Sequence, residues 1–336
     1  YNGALLATTT EAGGTVLVDG ENNGAGGGGV DSSDLITATG PIQVQMLGAG
    51  CNPEFPYSAR AFTLQPRGAW VNEYWAPVPG FTDGGSCNID LDGDGIDNRD
   101  TDIYLHNQNP FAITVNLEDG PGVLVPLTIP SRTTISVLAS LGRDLSSTTG
   151  AHLYSDDVFW GVSAIDSTSL GSGSSGSEVN DWGYSLVPGP RLSSQVVLGW
   201  SPGNSLKPPT SNPADNSGNL AFVRAITDTV VYVDLFVDDR GDGTGAHTHI
   251  FDMNGDGDAN DFDLFGNPNF DEPRSDEGVP LLAGQVLRVA DPNDNDLTGA
   301  VIYTRDLGEK IAVAWGQDPC RSGRGSPYLD MGYTVL

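Results

Sequence analysis

Ile113-Thr114-Val115-Asn116-Leu117 sets an apolar side chain at every second position, and Ile42-Gln43-Val44-Gln45-Met46 repeats that spacing. A period of two turns one face of an extended chain to a core and the other to water, so both segments read as strands. Val230-Val231-Tyr232-Val233-Asp234-Leu235-Phe236-Val237 and Ile311-Ala312-Val313-Ala314-Trp315 are β-branched and aromatic runs bounded by Gly, Pro, Asn and Asp. They read the same way. Helical spacing nowhere lasts three turns, and the best short helix, Asp261 to Phe265, stops at Gly266-Asn267-Pro268. The expected fold class is all-β.

Internal repetition organises these strands. Asp181-Trp182-Gly183-Tyr184 returns as Asp330-Met331-Gly332-Tyr333, and Gly150-Ala151 returns as Gly299-Ala300 at the same spacing. Thr101-Asp102 pairs with Thr227-Asp228 at a shorter spacing, which leaves room for an insert at 245–267 in the later copy. A fainter front copy aligns Asp34-Leu35 with Asp144-Leu145 and Tyr74 with Tyr184. The reading is three tandem β-sandwich units, Ig-like or jelly-roll-like: 1–80, 81–205 and 206–336. Lys207-Pro208-Pro209-Thr210-Ser211-Asn212-Pro213 is a stiff connector between the last two. The first unit lacks a counterpart of the strand at Ile103 to Leu105, so it is expected to be incomplete at its N-terminal side. An open sheet edge recruits strands, which suggests assembly by strand donation.

Composition narrows the function. Over 336 residues, 15 Lys and Arg face 44 Asp and Glu, for a net charge of −29. Such a chain repels phosphate backbones and anionic lipid, so nucleic acid is excluded as a partner. No apolar run approaches the roughly 20 residues of a membrane helix, and no membrane insertion is expected.

Asp252-Met253-Asn254-Gly255-Asp256-Gly257-Asp258-Ala259-Asn260-Asp261-Phe262-Asp263 has the spacing of a 12-residue calcium loop. Asp252, Asn254 and Asp256 fill alternate positions and Gly257 makes the sharp turn. Asp258 offers its carbonyl, Asn260 follows, and Asp263 closes the shell. A second loop runs from Asp90 through Asp92, Asp94 and Gly95. Ile96, Asn98, Asp100 and Asp102 supply its remaining oxygens in a different register. It lies between units 1 and 2, where Ca2+ would stiffen an Asp/Gly linker. Asp291 to Asp296 and the carboxylates Asp238, Asp239 and Asp242 read as ordinary acidic turns. His247 and His249 read as a surface pair.

Cys51 and Cys87 are the candidate disulfide, leaving Cys320 over; three unpaired thiols is the other reading. Enzyme signatures are poor. The GxGxxG-like run at 24–29 lacks a βαβ context, and the Gly/Ser run at 171–176 lacks a nucleophile elbow. Trp70, Tyr74, Trp75, Trp160, Trp182, Tyr184, Trp315, Tyr328 and Tyr333 recur at related strand positions, which favours core packing over a sugar platform.

The loop at 252–263 resembles the calcium loops of dockerins, and Asp90-Leu91-Asp92-Gly93-Asp94-Gly95 resembles the core of thrombospondin type 3 repeats. The units resemble extracellular β domains related to the N-terminal region of IgGFc-binding protein. The carrying residues are Asp296-Leu297-Thr298-Gly299-Ala300, Ile311 to Pro319 and Tyr328 to Tyr333, with an outline of them in unit 2. That resemblance implies a secreted or surface-attached scaffold and assigns no catalytic residue. The expected protein is a non-enzymatic, calcium-stabilised extracellular structural protein that self-assembles with its own copies into a filament, stalk or layer. An adhesin binding surface glycans or proteins on the same scaffold is the alternative.

Overall fold

The computed structural model describes residues 36–49, 59–80, 99–167, 182–201, 219–234, 278–289, 297–317 and 332–336. Almost all the regular structure among them is antiparallel strand. The chain enters with a hairpin, β1 (Gln45–Ala49) against β2 (Ala59–Thr63). The alternation at Ile42 to Met46 thus becomes ladder only from Gln45 onward.

An eight-stranded sheet follows. It comprises β3 (Val71–Ala76), β4 (Arg99–Asn107), β5 (Ile113–Asp119), β6 (Leu124–Ile129), β7 (Thr133–Ser136), β8 (Ala151–Ser167), β9 (Trp182–Ser185) and β10 (Val187–Pro188). β8, 17 residues long, is its spine. Its first residues pair with β3 and β5, and its last with β4 and β9. Between them the register against β3 slips, so that Ser155 to Val158 stand opposite Asn72 alone. A bulge of this kind bends a strand. One core is filled from both halves, by Ile103, Val115, Leu117, Leu153, Phe159 and Ile165 among others.

The third unit has two four-stranded sheets that share one core. β11 (Gln195–Val197), β16 (Val301–Thr304), β13 (Thr229–Asp234) and β14 (Val279–Leu281) make one sheet, in that spatial order. β15 (Val286–Val289), β12 (Asn219–Ala225), β17 (Ile311–Gln317) and β18 (Gly332–Val335) make the other. Val196, Val233 and Ile302 meet Val223, Val313 and Trp315 between them.

Strand membership shifts the expected unit boundaries. β3 lies before residue 80 yet pairs into the second unit, and β11 lies before residue 205 yet pairs into the third. The second unit therefore begins near Arg67 and the third near Gly189, each at a 3-10 turn, Arg67–Ala69 and Gly189–Arg191. In this register β2 is the counterpart of β9 and β3 the counterpart of β11, so Tyr74 does not match Tyr184. Nor does Thr101-Asp102 match Thr227-Asp228: the first pair lies inside β4, the second in the turn from β12 to β13. The extra length of the last copy falls between β13 and β14, where residues 235–278 replace the turn 120–123.

Among the described residues one α-helix, α1 (Val137–Leu141), departs from the all-strand expectation. The Ser136 hydroxyl caps it by accepting from Ala139 N at 3.0 Å, and Gly142 ends it in the left-handed region, φ 63°.

Candidate functional site

Asp90 to Asn98 and Asp252 to Asp263 lie outside the described residues, as do Cys51, Cys87, Cys320, His247, His249, the remaining acidic turns and the Gly-rich runs. Of the metal residues expected from sequence, Asp100 is placed by its backbone in β4, opposite Asp166. Asp102 is fully placed, and its carboxylate serves the fold. Oδ1 accepts from Ile103 N at 2.7 Å and Leu138 N at 3.0 Å, and Oδ2 accepts from the Ser136 hydroxyl at 2.6 Å. A buried carboxylate so engaged is held by α1 and its cap. Among the described residues, no group of three or more His, Cys, Asp or Glu is arranged to hold a metal ion.

What the structure does bring together is the junction between the second and third units. Trp182 of β9 is fully buried among Tyr184, Phe222 and Ala314, in the same core cluster. Its ring lies over Gly316 and Gly332, where any Cβ would collide with it. Trp75 makes a second anchor with Val187, Ala312, Leu192 and Ile226. One face of Trp75 stacks on His152 at 3.7 Å between centroids, and Arg224 Cζ sits 4.4 Å from the ring. His152 bridges Glu118 at 2.8 Å and Glu73 at 2.9 Å.

Arg224 is 4% exposed, and its Nε and Nη1 have no hydrogen-bond partner. Burial pushes its guanidinium down to about 10, which the nearby Glu118 partly offsets. It remains a cation at neutral pH, facing an indole rather than water. Backbone bonds close the same seam: Gly150 N donates to Gly284 O at 3.2 Å, and Val286 N to Thr148 O at 3.4 Å.

The junction between the first and second units repeats this plan. Phe62 of β2 lies over Gly183 as Trp182 lies over Gly332. The Ser185 hydroxyl reaches Thr63 O at 3.5 Å, and the Thr334 hydroxyl donates to Ser185 O. Ser185 and Thr334 hold one position of the repeated motif, and the Thr63 carbonyl accepts from Ser185 as the Ser185 carbonyl accepts from Thr334. Trp70 stacks on Trp160 at 6.2 Å and meets His106 edge-on at 5.9 Å. Leu192 and Ala312 take the places of Trp70 and Trp160 one unit later.

The second and third units are each closed by a tyrosine. Tyr184 OH accepts from Val78 N at 3.3 Å, and Tyr333 OH from Trp200 N at 3.4 Å. Burial raises the Tyr184 hydroxyl well above its ordinary value, and hydrogen bonds with Ser163 and Val78 only partly counter this.

Of the aromatics expected in the core, Tyr74, Trp75, Trp182, Tyr184 and Trp315 are buried, Trp70, Trp160 and Tyr333 are half-buried, and Tyr328 lies outside the described residues. Sequence reading missed that two of them join units rather than fill one. The available signal was Arg224, a lone cation in the apolar run Leu220-Ala221-Phe222-Val223-Arg224-Ala225. No family model matches the sequence, and no curated protein or solved structure matches it.

Proposed function

We propose that this chain is a non-enzymatic structural protein of the cell exterior, a stiff array of β units that assembles with its own copies into a filament, stalk or layer. The observation that carries this reading is the repeated junction: Ser185 meets Thr63 as Thr334 meets Ser185. Arrays that reuse one nearest-neighbour contact are quasi-one-dimensional and suit spanning rather than turnover. Two buried tryptophans and a backbone seam make the second junction a continuation of the core, so bending there would expose apolar surface. The resemblance to extracellular β domains points the same way.

In this proposal calcium binds the loop at 252–263, inserted between β13 and β14, and the loop at 90–100, which runs into β4. With Asp102 engaged by α1, the second shell comes from Asp90, Asp92, Asp94, Asn98, Asp100 and the Ile96 carbonyl. The ion neutralises clustered carboxylates in a chain of net charge −29. Extracellular modules of this type bind at roughly 10⁻⁴–10⁻³ M, so such sites fill outside cells. Thermal melts with calcium and with excess chelator test the reading. Chelator should lower the melting temperature, and superimposable melts would count against bound calcium. Small-angle scattering tests the stiff array separately, with a single elongated envelope expected and a flexible ensemble opposing it.

The Trp70–Trp160 stack favours a second reading, an adhesin with a sugar platform. Half-buried indoles beside the hydrogen-bonding groups of His106, Thr134 and Gln108 suit a pyranose face. Trp fluorescence titrations with a panel of soluble oligosaccharides, on wild type and Trp160→Ala, separate the two readings.

A further inference from the structure

We propose that the junction between the second and third units is a hinge that opens at one end. The third unit rocks about Trp182 while both units stay folded, and the end that parts is the one at Trp75 and Arg224. The hinge belongs to a single chain and does not depend on association with further copies.

Both ends of this junction lie along one strand. β12 turns Ala221, Val223 and Ala225 into the core of the third unit, and Leu220, Phe222 and Arg224 toward the second. At the Phe222 end the contact is apolar and close. Trp182 lies 6.2 Å from Phe222 between centroids and shares a cluster with Leu220 and Ala314. Its ring fills the space over Gly316 and Gly332 that a Cβ would need. Parting there would uncover one of the largest fully buried side chains of the structure, so this end serves as the pivot.

Two residues further along β12, roughly 7 Å away, the surroundings change. Arg224 lies over Trp75, and the apolar cluster at that indole is small: Val187 and Ala312, with Leu192 and Ile226 partly buried. Gly150 approaches so closely that a Cβ there would meet Arg224 Cδ. Polar groups at this end are nonetheless unpaired. Among the described residues, Trp75 Nε1, Thr149 Oγ1, Arg224 Nε and Arg224 Nη1 are buried here with no hydrogen-bond partner. The other such atoms, Tyr232 OH and Trp315 Nε1, belong to the third unit alone. Backbone bonds across this end are long, 3.2 Å from Gly150 N to Gly284 O and 3.4 Å from Val286 N to Thr148 O.

A buried donor without an acceptor has lost its water and gained no bond in exchange. Such atoms collect where only a small apolar cluster holds the junction shut. Opening this end far enough to admit water satisfies all of them and uncovers that cluster alone. Opening at Trp182 would uncover the ring and satisfy none of them. The balance selects the Arg224 end for local opening. The closed junction is the ground state and the open one a minor population.

Native-state hydrogen exchange on the whole chain, with urea kept below the unfolding transition, tests this. The Gly150 and Val286 amides bond across the opening end. They should exchange at least about tenfold faster than the amides of the β12–β17 and β4–β8 ladders, with little dependence on urea. Arg224→Met keeps an aliphatic stem and removes both unpartnered guanidinium donors, and should slow the two amides by about tenfold or more. Thr149→Val removes the unpartnered hydroxyl and should slow them by a smaller factor. The ladder amides should keep their rates in both variants. Gly150 and Val286 rates that match the ladders in wild type overturn the hinge. So do rates that neither variant slows, or that slow by one factor at every amide. Each of these results leaves the array reading standing, because that reading needs only the closed junction.

Discussion

The second and third units solve one problem in two ways. A chain that builds two packed layers must cross from one to the other. In the second unit β8 crosses without a break, through the bulge at Ser155 to Val158. In the third unit β16 stops at Thr304, a turn runs over 305–310, and β17 starts at Ile311. The crossing point is nevertheless fixed by the same pair of positions. Asn72 Nδ2 donates to Ser155 O at 3.1 Å, and Thr304 N donates to Ser194 O at 2.9 Å. Ser155 and Thr304 also use their hydroxyls inward, toward Thr114 O at 2.7 Å and Glu309 O at 3.3 Å. What the repeat keeps is the anchoring of the corner and the contact to the neighbour; the length of chain between them is free to change.

The largest effect should come from removing the anchor that ties the two units into one core. Trp182→Ala should cost about 3–5 kcal/mol, the range for truncating a large buried aromatic. Because the ring bridges both units, urea unfolding should split from one transition into two. A single transition with unchanged slope would mean that the units fold as one body without it.

Much of the fold was legible because it rests on alternation and turn chemistry. β5, β13 and β17 fall where the period of two and the β-branched runs place them. α1 was hidden because five residues give no amphipathic period, although Ser136 and Gly142 spell its caps. The unit boundaries were misplaced for a physical reason. Sequence similarity marks where residues recur, whereas sheets are defined by pairing, and β3 and β11 pair forward into the next unit. The glycine of the repeated Gly-Tyr motif was visible as a recurrence. Its cause, an aromatic of the preceding unit lying over it, needs the tertiary contact. Asp102 looked like the end of a calcium loop because a run of alternating carboxylates reads alike whether its last member faces an ion or a helix end.

The corner itself should be next in magnitude. Ser155→Ala removes the partly buried bond from its hydroxyl to the Thr114 carbonyl and should cost about 1–2 kcal/mol in chemical denaturation. Thr304→Val should cost less, because Glu309 N and the turn at 305–310 still fix its corner through Asp306 O. Equal losses would argue that both corners depend on the hydroxyl alone.

Arg224 separates packing from charge at the junction. Arg224→Ala should cost about 1–2 kcal/mol, since the aliphatic stem covers apolar surface beside Trp75. Arg224→Met keeps that stem and removes a buried cation with two unpartnered N–H groups. It should be neutral or stabilising, as replacements of buried charges by apolar groups often are. Should Met destabilise as much as Ala, the stack on Trp75 and the field of Glu118 outweigh desolvation.

The smallest effect sharpens the comparison between the two junctions. Thr334→Ala removes a hydroxyl bond to Ser185 O that is partly sheltered from water, a loss of about 0.5–1.5 kcal/mol. Ser185→Ala removes a bond at 3.5 Å in an exposed setting, where water replaces it readily, so its loss should fall near zero. Both side chains hold the same place in the repeat, so the difference measures how tightly each neighbour is seated. If the two losses are equal, the hydroxyl contributes by its register position whatever the burial, and the first junction is as firm as the second. If only Thr334→Ala registers, the stiffness of the array is concentrated between the second and third units, where Trp75 and Trp182 already exclude water.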